Sequence, residues 1–251
     1  MVVRSRAEGG TLFGETRQMA AYDLQQELYL LRHPDEGTYW RDCMDVNAYY
    51  DAATNSVTVG VGLLGGVYWP QGGSYEERLA GVGMTIGHEL GHAFDDYGAY
   101  FDENGAYEQW WTSDDLRAFE DRVQVVRDAL EEMDPLGSGT YDGDRMCGET
   151  IADLGGMRAS MLVAEGRKGF DYDAFFRAYA RSWAEVMSVA DARDRMASDT
   201  HVLCSHRVNL VVREADEFLR TYDVGAGDGM VICTTESSGW AELSFMDRME
   251  G

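Results

Sequence analysis

Lysine is almost missing from this chain. Lys168 stands alone among 21 basic side chains, against 45 acidic ones, for a formal net charge of -24. Nucleic-acid binding and electrostatic attachment to anionic membranes both need a basic footprint, so neither partner is expected. The acidic excess reads as a solvated, self-repelling surface, with steering of cationic substrates as the alternative. No run of 18 apolar residues occurs, and no transmembrane helix is expected. Met1 to Gly14 lacks the apolar stretch of a signal peptide. Cysteine is scarce and scattered. Cys43, Cys147, Cys204 and Cys233 form no C-x-x-C pair, which excludes a structural metal knuckle, and their even number permits two disulfides without demanding them. Repeats, linkers and low-complexity segments are also lacking. As given, the chain reads as cytoplasmic, or as a piece of a longer exported protein.

What is present is mostly helical periodicity. Met19, Tyr22, Leu24, Leu28 and Leu31 recur at three- and four-residue spacing over 15–32, and His33-Pro34 ends the pattern. Val46–Tyr50 and Ser56–Val61 read as two short strands around an Asp51–Asn55 turn, followed by a glycine-rich loop from Gly60 to Gly73. Gly81–Phe94 is an apolar run with helical spacing. Thr112 to Asp115 offers N-caps for a helix reaching about Met133. Pro135–Gly143 reads as a loop, and 148–166, 171–188 and 207–220 read as helices. The glycine-rich tail from Gly225 is expected to be irregular.

Inside the Gly81–Phe94 run lies His88-Glu89-Leu90-Gly91-His92, an H-E-x-x-H pattern. Residues four apart share a helix face, so both imidazoles can reach one metal ion. Glu89 falls beside that ion, where it can take a proton from water. Two core histidines would each need a buried hydrogen-bond partner, which a metal and a carboxylate supply more simply. A catalytic zinc takes a third protein ligand and leaves one position open. Gly148-Glu149-Thr150-Ile151-Ala152-Asp153 offers two carboxylates four apart. One can bind the metal while the other accepts from a ligand histidine. An acidic pair at this spacing is ordinarily a solvated face, but Cys147, Ile151, Leu154 and Gly155-Gly156 make this helix apolar. Asp95 and Asp96 are supporting partners for a histidine or surface caps, with nothing to separate the two.

These blocks resemble the catalytic domain of the neprilysin and endothelin-converting-enzyme family of zinc metallopeptidases, which are gluzincins. The resemblance rests on Val46-Asn47-Ala48-Tyr49-Tyr50, on Gly83 to Asp96 around the two histidines, on Gly148 to Asp153, and on Asp199-Thr200-His201 with Arg207. Asn104-Gly105 through Trp110-Trp111-Thr112 adds a further match. The similarity runs from about residue 15 to 222. It implies one Zn2+ per chain on His88, His92 and Glu149, with Glu89 as general base and Asp153 as partner of a ligand histidine. It further implies that His201, oriented by Asp199, donates to the oxyanion. Asn47 and Ala48 would bind substrate backbone, and Arg207 a substrate carbonyl. Trp183 would line the pocket for the residue after the scissile bond.

The expected fold is mainly α (α+β), a thermolysin-like metallopeptidase domain over 1–251 with a small β element before the H-E-x-x-H helix. The expected reaction is hydrolysis of peptide substrates. The alternative is a zinc-containing, partner-dependent subunit or a peptide-binding module. The sequence departs from the family pattern in several places. The large N-terminal helical domain of the family is not represented, so a homo-oligomer or a separate subunit would cover that face. Thr85 stands where valine is common, Val202-Leu203 replaces a serine-proline, and Cys233 and Trp240 only loosely echo the usual ending.

Overall fold

A computed structural model of the chain describes residues 4–33, 44–225 and 227–230. Cys43, Cys233, Trp240 and Pro34 lie outside the described residues, as does the tail beyond 230. Cys147 and Cys204 carry free thiols. Two compact units divide the chain, Met1–Arg41 and Asp42–Gly251. In the first, helix α1 spans Leu12–Leu30, and the Thr11 side chain accepts from the Gly14 N–H to cap it. The stripe that signalled this helix is uncovered, with Met19, Leu24, Leu28 and Leu31 all exposed.

The second unit opens with a hairpin of β1 (Ala48–Asp51) and β2 (Ser56–Val59), paired from Ala48↔Val59 to Asp51↔Ser56. Its turn closes through Asn55 at φ 45°, a left-handed conformation that asparagine tolerates well. A continuous helical run follows. It consists of α2 (Tyr75–Arg78), a π-helical stretch at Leu79–Gly83, α3 (Met84–Gly91) and a 3-10 turn at His92–Phe94. Then come α4 (Ser113–Glu131), α5 (Gly143–Glu165), α6 (Tyr172–Ser182), α7 (Val189–Ser198), α8 (Cys204–Val212) and α9 (Asp216–Thr221). The fold is mainly α with one small two-stranded sheet before the motif helix, as expected. Among the described residues no helix is long and apolar enough to cross a membrane.

The larger departures from the expected boundaries each have a local reason. α5 starts five residues early because Asp142 accepts from the Arg145 N–H and caps it there. α6 stops at Ser182, and a separate helix, α7, follows with Ser188 as its N-cap. The single helix expected over 207–220 is two, α8 and α9, joined through Ala215 in an extended conformation. The bend lets both Val211-Val212 and Phe218 reach the α6 aromatics, with the Phe218 ring edge-on to Phe176 at 5.3 Å.

Helix α5 lies between two apolar clusters. On one side Phe119, Val123, Val126 and Leu130 of α4 pack on Met146, Cys147 and Ile151 of α5, and Ala192 of α7 joins them. On the other, Met157 and Met161 of α5 meet Met84 of α3, Phe175 and Phe176 of α6, and Val211 and Val212 of α8. Each fully buried side chain of this kind contributes roughly 1.5–3 kcal/mol. Along its middle, α5 crosses α3 with the two main chains almost touching. A Cβ added at Gly87 would lie 3.0 Å from Gly156 Cα, and one at Gly91 would lie 2.9 Å from Ala152 Cα. Small residues four apart on both helices permit this approach, which sets α3 and α5 antiparallel with the faces that carry His88 and Glu149 toward each other.

Candidate metal centre

The α3–α5 crossing brings His88, His92 and Glu149 together, with one donor atom from each lying within 4.8 Å of the others. His88 Nε2 is 3.1 Å from His92 Nε2 and 3.2 Å from Glu149 Oε2, and His92 Nε2 is 3.6 Å from Glu149 Oε2. A tetrahedral ion with bonds of about 2.0–2.1 Å sets its ligand atoms roughly 3.3 Å apart, so this triangle has the size of a coordination face.

The far side of each ring decides what points inward. His88 Nδ1 lies 2.8 Å from Asp153 Oδ1, and His92 Nδ1 lies 2.6 Å from Asp95 Oδ2. A carboxylate only accepts, so each Nδ1 carries the hydrogen and each neutral ring presents an Nε2 lone pair. Two lone pairs and a carboxylate oxygen then converge with no hydrogen between them. Glu149 Oε2 is buried without a hydrogen-bond partner of acceptable geometry, although His201 Nε2 approaches to 2.9 Å. Such a set repels itself unless a cation lies within it, and two imidazoles with one carboxylate suit a divalent metal. In the metal-free protein a proton takes that part. Burial works against it, but Asp153 and Glu149 push the His88 ring up to about 9. Burial likewise opposes the charge on Glu149, yet His201 and His88 hold its carboxyl well below the usual range.

The supporting carboxylates are themselves held. Asp153 accepts from Arg207 Nε and Nη2, both at 2.6 Å, and all three partners are buried. Burial would raise the Asp153 carboxyl, but Arg207 and His88 keep it at about 2. Asp95 Oδ1 accepts from the N–H groups of Tyr97 and Gly98 at 2.8 and 2.6 Å. Asp96, by contrast, pairs with Arg127 at 2.9 Å. Asp95 is thus the histidine partner, while Asp96 is neither that nor a surface cap but a half-buried partner of Arg127.

The remaining expected residues, apart from Asp199 behind His201, line the same cleft, of about 430 Å³. Glu89 is buried in its wall. Burial raises the Glu89 carboxyl, against the pull of His88 and His92. His201 enters from the loop after α7, with its Nδ1 2.7 Å from Asp199 Oδ1. Burial opposes protonation of this ring, and Glu149 overrides it to raise the His201 pKa. Asn47 and Ala48 line the cleft at the start of β1, which pairs only with β2 among the described residues. Trp183 lies in the wall with the Arg207 guanidinium 4.1 Å above its ring. Thr85 faces the cleft and donates its hydroxyl to Gly81 O at 3.1 Å. The Arg207–Asp153 pair was not foreseen. The two stand 54 positions apart, and no local spacing signals their contact.

The model of peptidase family M13 matches residues 47–237. A neutral endopeptidase of Lactobacillus helveticus is 33% identical over 221 residues, covering 88% of this chain and 34% of the relative. The crystal structure of PepO from Lactobacillus rhamnosis HN001 aligns with a TM-score of 0.73 at 33% identity, over 78% of this chain and 31% of that one. The inhibitor complex of the Mycobacterium tuberculosis zinc metalloprotease Zmp1 aligns with a TM-score of 0.72 at 29% identity, over 78% and 32%. The chain therefore spans about a third of the length of the relatives it matches. On sequence and fold, this chain belongs to peptidase family M13, the neprilysin family of metallopeptidases.

Proposed function

We propose that this chain hydrolyses peptide bonds, with a zinc ion held by His88, His92 and Glu149. The observation that carries the reading is the half-buried triangle of two Nε2 lone pairs and one carboxylate oxygen, with the Nδ1 of each histidine engaged by an aspartate. When bound, zinc supplies Lewis acidity and makes water a nucleophile near neutral pH. Glu89, next to His88 and three residues before His92 and raised by burial, takes the proton from the attacking water and passes it to the leaving amine. His201, with its Nδ1 held by Asp199, donates from Nε2 to the carbonyl oxygen as it gains charge, a role that calls for a proton on both ring nitrogens. An extended peptide adds along the edge of β1 that faces away from β2, at Asn47 and Ala48. Arg207 faces a substrate carbonyl with two of its nitrogens fixed by Asp153, and Trp183 with Thr85 walls the pocket for the following side chain.

The test is cleavage of a mixed peptide library, with and without a chelator, by the wild type and Glu89→Gln. Chelator-sensitive cleavage that returns with zinc supports the reading. Glu89→Gln should keep one zinc per chain and lose turnover, and turnover persisting in that variant sinks the mechanism. A wild-type chain that binds zinc but cleaves nothing would instead be a peptide-binding module or a partner-dependent subunit.

A further inference from the structure

Helix α7 ends on a charge of the wrong sign. Asp199 is its C-cap, where the helix dipole disfavours an acid. One turn earlier stands Arg195. Its Nε donates to Asp199 Oδ2 at 3.1 Å, and its Nη1 donates to both carboxylate oxygens of Glu185 at 3.0 and 3.1 Å. Nη1 also lies 3.8 Å from Cys204 Sγ. The other Asp199 oxygen, Oδ1, faces His201 Nδ1 at 2.7 Å and accepts from the His201 N–H at 2.9 Å. A line of contacts therefore runs from Glu185, two residues beyond the pocket wall at Trp183, through Arg195 and Asp199 to His201. It ends where His201 Nε2 lies 2.9 Å from Glu149.

We propose that Arg195 is a positioning residue for His201, acting through Asp199. Asp199 touches His201 only through Oδ1. With Oδ2 unclamped, the carboxylate can rotate about Cβ–Cγ and carry the imidazole with it. Arg195 closes that freedom. It also balances the acid at the helix end, and through Glu185 it ties the histidine loop to the segment that carries Trp183. The helix end itself has a separate anchor, since Arg145 of α5 donates to the Ala197 and Met196 carbonyls at 2.8 and 2.6 Å. Removing the Arg195 side chain thus releases the clamp without releasing the backbone, and a partly exposed ion pair of this kind adds only modestly to stability. The inference rests on the catalytic reading of His201 given above.

The experiment compares Arg195→Met and Arg195→Lys, each alone and combined with His201→Phe, after their melting temperatures have been matched to the wild type. Arg195→Met should lower kcat about tenfold with KM within about twofold, and lysine should recover most of the loss. In the His201→Phe background Arg195→Met should cost nothing more, because the residue acts through the ring that is gone. A second readout needs no turnover. In the metal-free chain, the hydrogen-bonded Nδ1–H proton of His201, assigned by its loss in His201→Phe, should vanish from the NMR spectrum in Arg195→Met and persist in Arg195→Lys. Equal kcat losses in both backgrounds, or an unchanged proton signal, overturn the proposal. If the wild type cleaves no peptide, the functional reading fails and the proton signal alone decides the role of Arg195.

Discussion

Replacing Asp153 by asparagine removes one charge and almost no volume from a carboxylate that serves three donors. Oδ1 takes His88 Nδ1 at 2.8 Å and Arg207 Nη2 at 2.6 Å, while Oδ2 takes Arg207 Nε at 2.6 Å. An amide has one oxygen for these two positions. With its oxygen at the Oδ1 position, its NH2 meets the Arg207 Nε–H, donor against donor. Turned over, its NH2 meets Arg207 Nη2 and donates to His88 Nδ1. That ring must then carry its hydrogen on Nε2, the atom aimed at the metal. In both cases a guanidinium only 5% exposed loses its counter-charge. Breaking a buried pair from one side costs about 3–5 kcal/mol, and the retained acceptor places this variant near 3 kcal/mol. Disturbing the partner of a ligand histidine typically weakens metal binding 10–100-fold. Urea unfolding of the metal-free chain measures the first effect, and zinc competition against a chromophoric chelator the second. The double variant Asp153→Leu with Arg207→Met separates them. It should return to within about 1 kcal/mol of wild-type stability, because a buried ion pair is replaceable by apolar volume, yet remain weak for zinc. An asparagine variant with wild-type stability and wild-type zinc affinity would refute the dual role of Asp153.

Two further outcomes follow from the same geometry. Gly91→Val must push α3 from α5, since even a Cβ there lies 2.9 Å from Ala152 Cα. The overpacking should cost about 1–3 kcal/mol and weaken zinc binding, as the ligands sit on both helices. Gly155→Ala on the same crossing is the control. Its Cβ meets only Gly91 Cα, at 3.6 Å, so improved helix propensity should stabilise the chain by roughly 0.5–1 kcal/mol. The Asp153 carboxyl, held at about 2 against an ordinary 3.8, supplies stability that is present above pH 3.8 and lost as pH falls toward 2. That amounts to about 2–3 kcal/mol, read as a falling urea midpoint of the metal-free chain. The same acid slope in Asp153→Asn would show that another group is responsible.

The centre was legible because its logic is local. His88 and His92, and likewise Glu149 and Asp153, are four apart on single helices, so spacing alone sets each pair on one face. The two helices were also marked as apolar, and the glycines of α5 anticipated its tight packing. Relations between elements were not legible in this way. The Arg207–Asp153 pair depends on α8 reaching α5, and the π-helical stretch before α3 has no sequence period of its own. The break between α8 and α9 arises because the α6 aromatics must be met from two directions. Helix α7 was overlooked for a different reason. Its apolar positions, Val189, Ala192 and Met196, make too short a stripe to stand out among arginines and aspartates, although Ser188 three residues before Asp191 is a capping signal.

The position of α5 between two apolar clusters couples the parts of the cleft. The proposed metal ligands lie on α5, on α3 and on the 3-10 turn that continues α3, whereas His201 follows α7 and Trp183 and Arg207 come from the end of α6 and from α8. Both clusters include α5 side chains, so a volume change in either is felt by the helix that carries Glu149 as well as by the walls proposed to meet substrate. Metal affinity and substrate choice are therefore expected to shift together in such a scaffold. Repacking α4, α6 or α7 to reshape the pocket would disturb the metal triangle unless α5 is compensated.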